Sequence, residues 1–217
     1  MLKADLHIHS KYSLDSNNPL EGIIERCQQR GINCIAVCDH GTAEGGLKIK
    51  ELAPFKVIVA EEVLTPEGEI MGMFLKETIP SGSSPEETIE QIREQGGLVC
   101  IPHPFDRFRP SAMKGHTLAR IVDQVDIIEV FNARTLPYQN MNKPRNFAQQ
   151  HNLVQGAGSD AHTLAEIGNA YVELPEFNGC DDFLEALAQG KIGGRRTNPF
   201  THFFSLGNRI KKKLRGR

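Results

Sequence analysis

Leu2-Lys3-Ala4-Asp5-Leu6-His7-Ile8-His9 opens the chain as a β-type run ending in two histidines, and its reading decides the fold. Strand side chains alternate between faces, so residues two apart share one. Asp5, His7 and His9 therefore fall on a common face, and His7 with His9 can converge on one ion. Four further patches repeat the theme: Asp39-His40, Glu61-Glu62, Pro102-His103-Pro104 and Ser159-Asp160-Ala161-His162. The first three follow apolar β-type runs, and the last follows Leu153-Val154 through Gly156-Ala157-Gly158. Asp160 and His162 are again two apart. Imidazole and carboxylate are the ligands that hold Zn, Mn or Fe, so the pattern points to metal-dependent hydrolysis.

Outward from this first strand, β-type runs alternate with amphipathic ones. The spacing predicts strands over 2–8, 33–38, 56–63, 69–75, 98–101, 126–131, 153–156 and 169–173. It predicts helices from Pro19 to the stop at Gly31, and over 46–52, 84–95, 116–122, 140–151 and 180–188. Pro suits a first helical turn, and Ser84-Pro85-Glu86-Glu87 has the form of a capping box. Strands separated by helices predict βαβ units and a parallel sheet. About seven repeats in this length suit a barrel better than an open sheet. The charged patches fall at the C-terminal strand ends, where barrel enzymes build their sites.

The 217 residues suffice for one well-buried core, at 39% hydrophobic and 24% charged with no tryptophan. Five cysteines, Cys27, Cys34, Cys38, Cys100 and Cys180, are odd in number and lack Cys-x-x-Cys spacing. They read as reduced core thiols in a cytoplasmic protein rather than a zinc cluster. No apolar run is long enough to predict a membrane span. Charge is asymmetric: from Lys191 onward there are nine Lys or Arg and no Asp or Glu, leaving 16 basic against 27 acidic residues before it.

With these patches on the page, a resemblance is clear. Asp5-Leu6-His7-Ile8-His9-Ser10, Cys38-Asp39-His40, the strand ending at Glu62, Pro102-His103-Pro104 and Gly158-Ser159-Asp160-Ala161-His162 resemble, in order, the motifs of the PHP superfamily, named for polymerase and histidinol phosphatase. The resemblance implies a distorted seven-stranded (β/α)7 barrel, one domain over residues 1–207, and the basic composition of 208–217 reads as a flexible tail after it. It implies two or three divalent ions and phosphoester hydrolysis. His7, His9, Glu62 and Asp160 would surround one metal, Glu62 would bridge to a second held by His103, and Asp15, His40 and His162 would hold a third. The family pattern Gly-x-Glu selects Glu62, with Glu61 as the alternative. Ions of this kind activate water near neutral pH, and the leaving-group acid would be a bound water or His162. Two departures stand out. Where many relatives carry a further histidine after the motif glutamate, this chain has Met71, and the interval between Glu62 and His103 has no room for a helical insertion.

Three arginines complete the expected site. Arg107 and Arg109 follow His103 closely and Arg134 follows a strand end, and the guanidinium fork suits a phosphate. Asn132 is expected beside them as a partner of a ligand. Asp5 reads either as an orienting partner of a histidine or as a buried carboxylate satisfied by backbone donors; Asp39 reads similarly. His116, His151 and His202 read as helix-end or surface residues. The expected substrate is a phosphorylated small molecule, a nucleotide or an oligonucleotide 5′ end, with histidinol phosphate as an alternative. Arg209 to Arg217, six cations in nine residues, provides a route to nucleic-acid phosphates. The competing class is a non-catalytic module that keeps its metal for structure and docks through this tail.

Overall fold

The computed structural model describes residues 1–136, 139–140, 142–199, 201, 207 and 212. Its elements are β1 (Leu2–Ile8), α1 (Leu20–Arg30), β2 (Cys34–His40), α2 (Glu44–Leu52), β3 (Lys56–Thr65), β4 (Gly68–Met73), α3 (Pro85–Glu94) and β5 (Leu98–Ile101). They continue with α4 (Gly115–Ile121), β6 (Ile127–Asn132), α5 (Asn142–Gln150), β7 (Val154–Gly158), β8 (Ala170–Leu174), α6 (Cys180–Ala188) and β9 (Lys191–Gly194). Helix ends follow local rules: Ser84 and Glu87 form the capping box of α3, and Gly31 ends α1 in the left-handed region at φ 64°.

The nine strands form one sheet in the order β7-β6-β5-β4-β3-β2-β1-β8-β9. It curls until its ends nearly meet. The first half of β1 pairs antiparallel with β8, from Leu2 opposite Leu174 to Ala4 opposite Val172. Its far end belongs to the segment after β7, where the His9 amide donates to the Ala161 carbonyl at 3.0 Å and the Asp160 amide to the His7 carbonyl at 2.8 Å. The expected alternating seven-stranded parallel barrel thus becomes a nine-stranded, mixed and nearly closed sheet. The tight Pro66-Glu67-Gly68 hairpin leaves no room for a crossover, so β4 runs antiparallel to both β3 and β5. β9 was not expected, because Lys191-Ile192-Gly193-Gly194 offers only four residues with two glycines.

Inward-facing rows place the site. Along β2, Cys34, Ala36 and Cys38 lead to His40; along β3, Ile58 and Ala60 lead to Glu62. Along β4, running the other way, Met73 and Met71 lead to Glu69, and along β6, Ile127 leads to Glu129. The apolar members form one core, closed at its lower end by Phe177 and Phe183, whose rings lie 4.9 Å apart. The ionisable members rim the upper end. Two outer cores pack the helices on the sheet, one under α1 and α2 and another under α3, α4 and α5. Cys27, Cys34, Cys38 and Cys100 are buried free thiols and Cys180 is half-buried and free. Among the described residues no helix is long and apolar enough to cross a membrane.

Candidate metal centre

β1 delivers two histidines by breaking its own alternation. Its register with β2 shifts between Asp5 and Ile8, so Leu2, Ala4 and Leu6 face the core while both His7 and His9 enter the cluster above it. Such irregularities re-aim side chains near functional sites. Asp5 consequently leaves the face the histidines share. Its carboxylate accepts from the amides of Ser159 at 2.8 Å, Gly168 at 2.8 Å and His7 at 3.4 Å, so it ties β1 to the segments after β7. Burial pushes its pKa up to about 6. Asp39 plays a comparable part, accepting from the amide and hydroxyl of Ser10, each at 2.6 Å.

Glu62 sits at the centre. Its Oε2 lies 3.3 Å from Nε2 of His7, Nε2 of His9 and Nδ1 of His40, while Oε1 lies 3.0 Å from Nε2 of His103. Asp160 Oδ1 lies 3.6 Å from His7 Nε2 and 3.3 Å from His9 Nε2. Asp15 brings His40 and His162 together, at 3.4 and 3.2 Å. All eight side chains expected as ligands therefore meet in one cluster, and Glu62 rather than Glu61 enters it. Glu61 faces the other way, accepting from the Ile79 amide at 2.9 Å.

Two members of the assembly were not expected. Glu69 lies 3.3 Å from His40 Nδ1 and 3.6 Å from His103 Nε2, so it supplies a carboxylate next to the position where a histidine was missed. Glu129 accepts from His7 Nδ1 at 3.0 Å, from the His103 amide at 2.7 Å and from Asn132 Nδ2 at 2.9 Å. It fixes the His7 tautomer with Nε2 toward the cluster, as outer partners of metal-bound histidines do. Both carry a legible signal: an acid in the inward row of an apolar strand. Asn132 also reaches Asp160 Oδ2, at 3.2 Å.

Charge in the cluster is held by mutual contact. Burial alone would push Glu62 up, but the imidazoles of His7 and His40 and the hydrogen bond from His103 hold it well below the ordinary range. Burial likewise opposes the ionised Asp160, and Arg109 with His7 holds it far down. Burial opposes a charged His40, yet Glu62, Asp15 and Glu69 raise it to about 10. His162 goes the other way, lowered to about 4 by burial and by the positive fields of His9 and Arg134. Its Nδ1 donates to the Asp160 carbonyl at 2.8 Å, leaving a neutral Nε2 of the kind that binds metal.

The donor set fits divalent cations. His7 Nε2 and His9 Nε2 face each other at 3.1 Å, and Glu62 Oε2, Glu69 Oε2 and Asp160 Oδ1 are buried without a hydrogen-bond partner. Buried lone pairs aimed at one another are costly unless a cation lies among them. Ligating atoms fall into overlapping groups: His7, His9 and Asp160; His7, Glu62 and His103; His40, Glu62 and Glu69; and His9, Asp15, His40 and His162. His103 and Asp160 have φ of 32° and 55°, left-handed conformations that cost about 1–3 kcal/mol each and persist where the surroundings impose them.

The arginines divide. Arg109 reaches Asp160 Oδ2 at 2.5 Å, and buried Arg134 lies 3.5 Å from the Asp160 carbonyl and 3.6 Å from Glu166 Oε1. Both line a cavity of about 820 Å³ whose floor is formed by Asp15, His40, Glu62, Glu69 and His162. Arg107 instead is exposed and lines a neighbouring cavity of about 660 Å³ with Lys143 and Gln139. His116 and His151 are exposed near the ends of α4 and α5. His202 and the tail other than Lys212 lie outside the described residues. Lys212 Nζ donates to the carbonyls of Lys11, Ser13 and Ser16 at 2.9, 2.6 and 2.6 Å, in the loop that carries Asp15.

Comparison with known proteins agrees with this geometry. The family model described as PHP domain matches residues 5–96 and that described as PHP-associated matches residues 140–192. The chain is 42% identical over 146 residues to the uncharacterized protein MJ1587 of Methanocaldococcus jannaschii, covering 61% of this chain and 82% of that one. It is 37% identical over 181 residues to MJ0417 of the same organism, covering 82% and 72%. In fold it is similar to a two-domain protein from Bacteroides vulgatus containing a predicted PHP-like metal-dependent phosphoesterase, at TM-score 0.70 and 17% identity. That match covers 89% of this chain and 65% of the Bacteroides chain.

Proposed function

This chain belongs to the PHP family, and from that premise we propose that it is a metal-dependent phosphoesterase acting on phosphomonoesters. One observation carries the reading: Glu62 stands between His7, His9 and His40 on one oxygen and His103 on the other, the arrangement a carboxylate needs to bridge two ions. A structural metal needs only one closed shell. Here overlapping ligand groups open onto a cavity, which favours hydrolysis over a docking module.

His7, His9, Glu62 and Asp160 would hold one cation, with Glu62, Glu69 and His103 at a second and Asp15, His40 and His162 at a third, Zn, Mn and Fe all suiting this donor set. Such ions, when bound, lower the pKa of water and neutralise charge on phosphorus-bound oxygens. The protein orients the ester. Arg109 and Arg134 line the cavity beside Asp160, where their forks can take the phosphoryl oxygens and keep phosphorus facing the floor. In hydrolysis a water oxygen bonds to phosphorus, the ester P–O bond breaks and the departing alcohol takes a proton. Phosphate and the free alcohol result. No side-chain nucleophile is required.

The test is phosphate release by metal-reconstituted protein across simple phosphomonoesters, nucleotides and 5′-phosphorylated oligonucleotides, with His9→Ala alongside. Metal-dependent release that disappears in a folded His9→Ala protein is the expected result. Stoichiometric metal binding with no release from any ester would overturn the reading and leave the docking module.

A further inference from the structure

The mouth of the candidate site is apolar where its floor is charged. Leu14, Leu64 and Phe108 are 43%, 48% and 65% exposed, three of the five exposed large hydrophobic side chains among the described residues. All three line the cavity whose floor contains His40, Glu62 and Glu69. Leu64 gets there by register: it stands opposite Glu69 and two residues beyond Glu62 on the inward row of β3, one step nearer solvent than the metal-ligating carboxylate. Phe108 is held at the tip of the loop after His103, where its amide donates to Asp106 Oδ1 at 2.9 Å. Pro110 and Leu136 complete the apolar wall.

The charges around this mouth are unsuited to a second anionic group. The permanent cations lining the cavity are Arg109 and Arg134, both beside Asp160 and both assigned to the scissile phosphoryl group, and among the described lining residues there is no lysine. Asp15, Glu69 and Asp106 add negative charge. Asp15 and Glu69 belong to the floor, so a second phosphate on the substrate would meet Asp106 at the rim rather than a free cation. A polyhydroxylated leaving group would cover apolar surface without gaining the hydrogen bonds it gives up to water.

We propose that this protein prefers phosphomonoesters whose leaving group is uncharged and largely apolar, seated against Phe108, Leu64 and Leu14 with its phosphoryl group on the floor. The proposal rests on the phosphoesterase reading and narrows its substrate. Concentrated exposed apolar surface at a cleft marks a ligand site, and an aromatic face adds stacking to simple burial. Covering one aromatic ring is worth about tenfold or more in binding, and it should appear in KM.

The experiment compares 2-phenylethyl phosphate, glycerol 1-phosphate and fructose 1,6-bisphosphate on the metal-reconstituted full chain, the first two being alkyl esters with leaving groups of similar basicity. The expected result is a kcat/KM for the phenylethyl ester about tenfold or more above the other two, carried by KM. In Phe108→Ala the ratio should fall toward one. Calorimetry with 2-phenylethylphosphonate and methylphosphonate should show the same preference in binding alone. Turnover of all three esters at equal kcat/KM, or a ratio that survives in Phe108→Ala, would overturn the inference and leave the phosphoesterase standing. Turnover of none would overturn both.

Discussion

Glu62 and Met71 stand directly opposite each other across the antiparallel β3–β4 ladder. Met71 lies in the buried core beneath the cluster, and Glu69, two residues along the same inward row, reaches His40 and His103 instead. The carboxylate therefore stands one step nearer the mouth than the position where the sequence lacks a histidine. Glu69→Gln should weaken the second cation by more than the roughly tenfold that loss of an outer partner costs, leaving the ion at His7 and His9 in place. Metal stoichiometry on titration checks this: one fewer tightly bound ion is expected, and unchanged stoichiometry with unchanged affinity would remove Glu69 from the site.

Glu129 touches His7 Nδ1 and the His103 amide and belongs to none of the groups of converging ligand atoms. Glu129→Gln keeps the shape but replaces one acceptor oxygen with a donor, which would face either His7 Nδ1 or the amides it now serves. Metal affinity should fall about 10- to 100-fold while the fold survives. Equal affinity in native and variant proteins, measured by competition with a chelator, would show that His7 is oriented without it.

Much of this was legible in the residues. Seven of the eight expected ligands meet because strand ends on one side of a sheet must converge once that sheet curls, and each patch sat at a strand end; Asp15, expected from the resemblance alone, arrives on the loop between β1 and α1. What was not legible had local causes. Asp5 was assigned to the histidines' face by strict alternation, and the shift between Asp5 and Ile8 moved it to the backbone donors of Ser159 and Gly168. Glu69 and Glu129 carry a signal, an acid on the inward row of an apolar strand, but it becomes decisive only with register: Glu69 stands opposite Leu64 across the β3–β4 hairpin, and β6 takes its register from β5 and β7. Arg107 and Arg109 are indistinguishable by spacing, yet the turn beginning at His103, with Phe105 at φ 65°, sends them to different cavities.

Closure of the sheet depends on Gly158. A Cβ there would overlap the Cβ of His7 and stand 2.6 Å from its backbone nitrogen. Gly158→Ala must therefore push β7 off the end of β1, where the Asp160 amide meets the His7 carbonyl. The cost should reach at least the ~1–3 kcal/mol of an overpacked core, and it should displace His7 and Asp160 together. Denaturant unfolding and metal titration should both report damage; a variant that retains native stability and full metal binding would show that the two strands do not need this contact.

His40 gives a pH dependence whose sign depends on metal. In the metal-free protein Glu62, Asp15 and Glu69 outweigh burial and raise its pKa from 6.5 to about 10. A group whose pKa is raised on folding contributes fully below its unfolded value and loses that contribution as pH climbs through the folded one. Between about pH 6.5 and about pH 8.5 the folded state retains a proton that the unfolded state has released, so stability should decline. His40→Gln removes the titrating group, and its decline should be shallower. A bound cation requires the neutral imidazole, so proton competition weakens as pH rises and metal should stabilise more at the upper end of the same window. Thermal melts of chelator-treated and Zn-loaded protein at both ends measure the two slopes. Metal-free stability that is flat or rising, and equal in His40→Gln, would mean that the carboxylates around His40 do not hold its proton in the folded state.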